Sequence, residues 1–116
     1  MNIELKLKRV YKVGYRRVIT MASVYEVFYS GHSVGVVIER VKDGISDVYV
    51  HIDYSERKRG YATEALRILE NANKARGDIS RICLTPEKGE YEKTVAHIAE
   101  KLGYKRSEDG GYFKAL

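Results

Sequence analysis

Tryptophan is absent from the 116 residues, cysteine and proline occur once each, and phenylalanine and methionine twice each. A single cysteine, Cys83, excludes an internal disulfide and fits a reducing, cytoplasmic setting. Within Ile82-Cys83-Leu84-Thr85, with no base beside it in sequence, it reads as a small core residue rather than a nucleophile. No apolar run approaches the length of a transmembrane helix, and Met1-Asn2-Ile3-Glu4-Leu5-Lys6 lacks the apolar core of a signal peptide, so no membrane partner is expected. No metal is expected either. Charged residues at 32% and hydrophobic residues at 44% exclude a disordered chain. The length allows one core, so residues 1–116 read as a single domain.

Acidic residues are scarce in one place. Up to Thr20 the charges are Lys6, Lys8, Arg9, Lys12, Arg16 and Arg17 against Glu4, which accounts for the whole net charge of +5. Alternation of Ile3, Leu5 and Leu7 with Glu4, Lys6 and Lys8 begins this arm as a half-buried strand. Its lysines either blunt an exposed sheet edge or hold an anionic partner next to the functional site.

The rest of the chain is organised around residues 48–67. Val48, Val50 and Ile52 alternate with Tyr49, His51 and Asp53 as in a strand. From Tyr61 the positions Ala62, Ala65, Leu66, Leu69 and Ala72 form one apolar helical face, with Glu64, Arg67, Glu70 and Lys74 elsewhere. Between them lies the basic turn Arg57-Lys58-Arg59-Gly60-Tyr61-Ala62. A helix start offers unpaired N–H groups and the positive end of the dipole, which suits phosphate. Gly60 lets the backbone approach an anion, Ala62 keeps the next position small, and Thr63 adds a hydroxyl. Neither common glycine-rich phosphate loop is present, so the turn also reads as a solvated loop before an amphipathic helix.

Arg57-x-x-Gly60-x-Ala62 resembles the acyl-CoA-binding motif of the GNAT superfamily of N-acyltransferases, and Glu100-Lys101-Leu102-Gly103-Tyr104 resembles that family's Glu-Lys-x-Gly-Phe/Tyr segment. The resemblance covers about Thr20 to Leu116. It implies a mixed α/β (α+β) fold: a central mixed sheet with an antiparallel N-terminal meander, a parallel pair splayed at the cofactor site, two helices and a C-terminal hairpin. Patterns agree: strands over Arg17–Tyr29, Ser33–Val41 and Ser46–Asp53, the helix ended by Gly77, a strand over Ile79–Thr85, a loop over Pro86–Glu90, a second apolar stripe of Tyr91, Val95, Ile98, Ala99 and Leu102, and a hairpin turning at Asp109-Gly110-Gly111.

The resemblance further implies that acetyl-CoA lies in the splay between the strands ending at Ile52 and Thr85. Val50, His51 and Ile52 would meet the pantetheine through backbone groups, Arg57, Lys58, Arg59, Gly60, Tyr61, Ala62 and Thr63 the phosphates, and the Ile52 N–H the developing oxyanion. The expected activity is acetyl transfer to an amine acceptor, with a protein or peptide among the acceptors expected. Several family features are missing. The tyrosine that often precedes Glu-Lys is Ala99, an asparagine that often opens that helix is Glu92, and Arg9–Thr20 has no helical period where members usually carry two covering helices. His51 is then a candidate base, with Asp47, Tyr49 and Tyr91 behind it, while His97 reads as sitting on the polar face of its helix. The missing wall would leave a sheet face bearing Tyr25 or Tyr49 open, for which a homodimer is the expected cover. A catalytically weak acyl-CoA-binding module is the alternative, and a nucleic-acid-binding domain, without a recognised motif, is the least supported reading.

Overall fold

The structure is a computed structural model describing residues 2–15, 18–85 and 90–116, apart from the side chains of 13, 15, 18, 19, 90 and 91. Four strands come first: β1 (Ile3–Tyr15), β2 (Val18–Tyr29), β3 (His32–Lys42) and β4 (Ile45–Ile52). A 3-10 turn (Tyr54–Glu56), helix α1 (Tyr61–Arg76), strand β5 (Arg81–Leu84), helix α2 (Glu90–Lys101) and strands β6 (Lys105–Arg106) and β7 (Tyr112–Ala115) follow. They form one seven-stranded sheet in the order β1-β2-β3-β4-β5-β7-β6, antiparallel except for the β4–β5 pair.

The expected meander is present, and its turns work as read: Ser30-Gly31 and Asp43-Gly44 all adopt positive φ, which glycine reaches without steric cost. The basic arm is longer and more regular than its sequence suggests. It is a 13-residue edge strand paired antiparallel with β2 from Ile3↔Tyr29 to Tyr15↔Val18, in keeping with the lack of a helical period over Arg9–Thr20. Arg16 and Arg17 lie outside the described residues, as do Pro86 and Gly89 of the expected loop.

Both helices cover the same face of the sheet. The β4 residues Val48, Val50 and Ile52 pack there with Tyr61, Ala62, Ala65, Leu66 and Leu69 of α1 and Val95, Ile98 and Ala99 of α2 in one buried cluster. Two helix positions differ from the periodic reading. Ala72 is exposed and Asn73 takes its place in the interior, donating from Nδ2 to Glu39 Oε2 at 2.9 Å. Glu70 is also buried, its Oε2 accepting from Lys114 Nζ at 3.1 Å. Long-range polar pairs of this kind leave no trace in the apolar period, because a satisfied carboxylate or amide occupies a core position as an apolar side chain would.

The opposite face carries no helix among the described residues. Strand alternation and register place Tyr49, Ile38, Val24 and Arg9 in one row across it, and His51, Val36, Glu26 and Lys6 in the next. Tyr25 pairs with Val37 and so belongs to the helix-covered face, against the expectation that grouped it with Tyr49. The uncovered face is also less open than expected. Tyr49, Ile38 and Val36 are half-buried, and Lys6 and Arg81 lie over the rings of Phe28 and Phe113 at 4.8 and 4.7 Å. Long basic side chains shield apolar surface with their stems while their charged ends stay in water.

Candidate functional site

The parallel pair stops early. β4 and β5 pair from Ile45↔Arg81 to Val48↔Leu84, and β4 then runs four residues further to Ile52 with no strand beside it on that side among the described residues. The backbone alternation tells which groups are left. Asp53 N–H donates to Val34 O at 2.8 Å, so odd-numbered residues of β4 turn their polar groups to β3 and Val50 and Ile52 turn theirs into the gap. Gly35 makes this geometry possible, since a Cβ there would lie 2.3 Å from the His51 carbonyl oxygen and 2.9 Å from Ile52 Cα. A bulge where the register shifts between Val27 and Phe28 brings Val34 to Asp53.

The chain leaves β4 through the 3-10 turn, in which Glu56 N–H reaches Asp53 O at 2.8 Å. Arg57 folds back so that its Nε donates to Ile52 O at 2.9 Å, with the guanidinium 5.5 Å from the Tyr54 ring centre. Lys58 takes a left-handed φ of 65°, and Gly60, at φ 81°, ψ 9°, caps α1 without a side-chain hydrogen bond. Glu64 N–H is accepted by Gly60 O at 3.1 Å. By helix geometry the N–H groups of Tyr61, Ala62 and Thr63 therefore point out of the helix start, at the positive end of its dipole.

A cleft of ≈ 450 Å³ opens at this helix start, bounded by Ile52, the turn and one side of α2. Of the positions selected from sequence, Ile52, Arg57, Lys58, Gly60, Tyr61, Ala62 and Thr63 line it. Val50 is buried on the same face. Arg59 does not line it, but its Nη1 lies 3.8 Å from Oε2 of Glu56, which does. His51 projects from the uncovered face, half-buried, its ring parallel to that of Tyr49 at 6.5 Å. Asp47 is exposed on that face, and the Tyr91 side chain lies outside the described residues.

Sequence reasoning missed the other wall. Lys93, Thr94, His97 and Lys101 of α2 line the cleft alongside Ile98. Their spacing is a helical stripe adjoining the apolar one, and the signal was that basic residues outnumber acidic ones along it. Position 99 does not belong to the wall: Ala99 is wholly buried in the core. Tyr104, from the second motif, is buried beside Glu70, and burial first and then the neighbouring carboxylate push its phenol far above the ordinary range.

The arm's charge is distributed differently from the expectation of a partner held next to the site. Strand directions put Lys6 in the row of His51, near the cleft end, but Arg9 and Lys12 run toward the far end of the sheet.

No protein-family model matches the sequence, and no curated protein sequence matches it. Solved structures do. The aminoglycoside acetyltransferase AAC(6')-Ib in complex with coenzyme A and kanamycin aligns with a TM-score of 0.67 at 16% identity, covering 81% of this chain and 66% of that one. RimL, a ribosomal L7/L12 alpha-N-protein acetyltransferase, aligns with a TM-score of 0.72 at 15% identity over 82% of this chain and 61% of its own. An acetyltransferase of the GNAT family from Streptococcus pneumoniae aligns with a TM-score of 0.70 at 16% identity, over 82% and 66%. This chain thus spans less than two thirds of the length of the first of these proteins. What such distant sequences share is architecture, and the architecture of this chain is the GNAT fold.

Proposed function

We propose that the protein transfers an acetyl group from acetyl-CoA to an amine. The observation that carries this reading is the gap beyond Val48↔Leu84, where Val50 and Ile52 offer strand-edge backbone groups beside a helix start rich in N–H donors. A pantetheine arm has two amides and can pair with such an edge as a short added strand. The cleft volume falls in the range of small-molecule sites, and Lys58, Lys93 and Lys101 supply charge for phosphates. AAC(6')-Ib has been captured with coenzyme A, which supports the same ligand here.

In the reaction the amine nitrogen attacks the thioester carbonyl, a C–N bond forms, and the C–S bond breaks with release of CoA thiolate. In this reading the Ile52 N–H receives the developing oxyanion, and the Arg57 guanidinium, which donates to the Ile52 carbonyl at 2.9 Å, offsets that carbonyl's repulsion. The amine must first lose a proton, and His51, on the side of the sheet away from the cleft, is the base we assign. A second reading is an acyl-CoA-binding module with little turnover. It is favoured by one observation: Ala99 is sealed in the core, so the position where the family often has its acid offers none.

The test is direct. Thermal unfolding with CoA against adenosine should show stabilisation by CoA, about 2.7 kcal/mol at 100 times its dissociation constant. Incubation with labelled acetyl-CoA and a panel of amines, peptides and cell extract then separates the readings. Acetylated product supports transfer, CoA stabilisation without product supports the binding module, and no response to any acyl-CoA sinks both.

A further inference from the structure

Among the described residues β1 has no strand on its outer side, while the other edge of the sheet, β6, is only two residues long. The phase of the β1 backbone can be followed from one hydrogen bond. Asn2 O accepts from Ser30 N–H at 3.3 Å, so the even-numbered residues at the start of β1 turn toward β2, and the extra residue at the register shift between Leu7 and Arg9 reverses that phase. Beyond the shift Val10, Lys12 and Gly14 turn their N–H and C=O groups outward. We propose that this edge, from Arg9 to Tyr15, is a docking site for an extended polypeptide segment in which acidic and aliphatic residues alternate. The site lies apart from the cleft and does not rest on the acetyl-transfer reading.

The side chains specify the partner. Register puts Val10 in the row of Val48, on the helix side of the sheet, and Arg9 and Tyr11 in the rows of Tyr49 and Asp47, on the other side. Six large apolar side chains are exposed among the described residues, and four of them, Leu7, Val10, Tyr11 and Met21, belong to the β1–β2 hairpin. Acids are missing there. None occurs in the sequence between Glu4 and Glu26, and those two lie 3.9 Å from Lys6 and 3.8 Å from Lys8, which leaves Arg9 and Lys12 with no acidic partner among the described residues. In the neighbouring rows Asp47 lies beyond Arg40, and Glu39 is buried and engaged by Ser46 and Asn73. An added strand therefore meets three features together: backbone groups in line, apolar surface at Val10 on one face, and the Arg9 guanidinium on the other. Its aliphatic residues belong opposite Val10 and its acidic residues on the Arg9 face, with Lys12 adding to the field. Nucleic acid would use the cations but leave Val10 and Met21 in water, and a membrane would meet one face of the ribbon only. A second copy of β1 is repelled by the same cations that attract an acidic strand.

The experiment uses fluorescent ten-residue peptides followed by anisotropy: alternating Glu-Val, alternating Lys-Val, and Glu-Val with its valine nitrogens methylated. Valine N–H groups are the ones an added strand turns to β1 when its valines lie opposite Val10, so methylation blocks pairing and keeps the charge. A single-stranded DNA ten-mer and vesicles of phosphatidylcholine and phosphatidylserine in equal parts complete the set. The Glu-Val peptide should bind at least about tenfold more tightly than the Lys-Val and the methylated peptides, and 0.5 M salt should shrink the first difference but not the second. Arg9→Glu with Lys12→Glu should abolish the preference for Glu-Val over Lys-Val. Val10→Pro, which removes an outward N–H and spares those turned to β2, should weaken Glu-Val binding about tenfold or more. Both variants should keep the thermal response to CoA of the unmodified protein. No binding of Glu-Val, equal binding of the methylated or the Lys-Val peptide, tighter binding of the DNA or the vesicles, or indifference to the charge reversals would overturn the proposal. Absence of a CoA response in the unmodified protein would count against acetyl transfer alone, and the peptide comparison would still decide the edge.

Discussion

Single residues decide the cofactor end of the site. Gly60 sits at φ 81°, so Gly60→Ala should cost about 1–2 kcal/mol through left-handed strain alone, measurable by urea unfolding, and still respond to CoA. Gly60→Glu adds bulk and like charge at the phosphate position, and its CoA-induced thermal shift should vanish. Ala99 leads to the opposite expectation from the one its motif invites. Restoring a tyrosine would force a large ring into a position with no exposure, so Ala99→Tyr should destabilise by about 1–3 kcal/mol or more and gain no activity, seen by comparing unfolding midpoints and turnover. Tyr104 gives a pH dependence. Its phenol is held neutral in the fold by burial and Glu70, so its contribution is complete below the ordinary phenol value of about 10 and is lost as pH rises past it, where only the unfolded chain ionises. Tyr104→Phe should flatten that alkaline loss in urea unfolding followed from pH 8 to 11.

Elements are held in register by polar contacts that the apolar patterns do not announce. Glu39 of β3 accepts from Ser46 Oγ of β4 at 2.7 Å and from Asn73 of α1 at 2.9 Å, pinning the helix across two strands. Asn73→Ala leaves that buried carboxylate with one donor fewer and should cost about 1–3 kcal/mol, whereas the neighbouring exposed Ala72→Ser should be nearly silent. The order of the strands and helices from β2 onward, both glycine turns of the meander and the glycine stop of α1 could be read from the sequence, because periodicity and positive-φ chemistry are local, whereas the full length of β1 could not. The cleft was legible by half: the β4–α1 turn carries a compact motif, but the α2 wall is assembled from residues about forty positions away, whose face depends on how the helix is docked. His97 illustrates the limit, since a polar helical position faces either water or a cleft and sequence does not distinguish them. Gly35 is the other blind spot. It looks like any strand glycine, yet no side chain fits against the end of β4 there.

At the scale of the whole molecule, the sheet has one face covered by helices and one uncovered among the described residues, and basic side chains lying over aromatic rings shield the latter. Two copies meeting through this face would each present Arg40 and Arg81 to a surface of the same sign. Sedimentation at micromolar concentration and low salt should therefore find a monomer, in place of the homodimer that a bare apolar wall would require. The gap beside β4 has a kinetic meaning as well. In the proposed reaction the amine attacks a thioester held there directly, with no residue carrying the acetyl group in between, so donor and acceptor must be resident at once and neither departs before the other arrives. Double-reciprocal plots at several fixed acceptor concentrations should intersect rather than run parallel, and CoA should compete with acetyl-CoA but not with the acceptor.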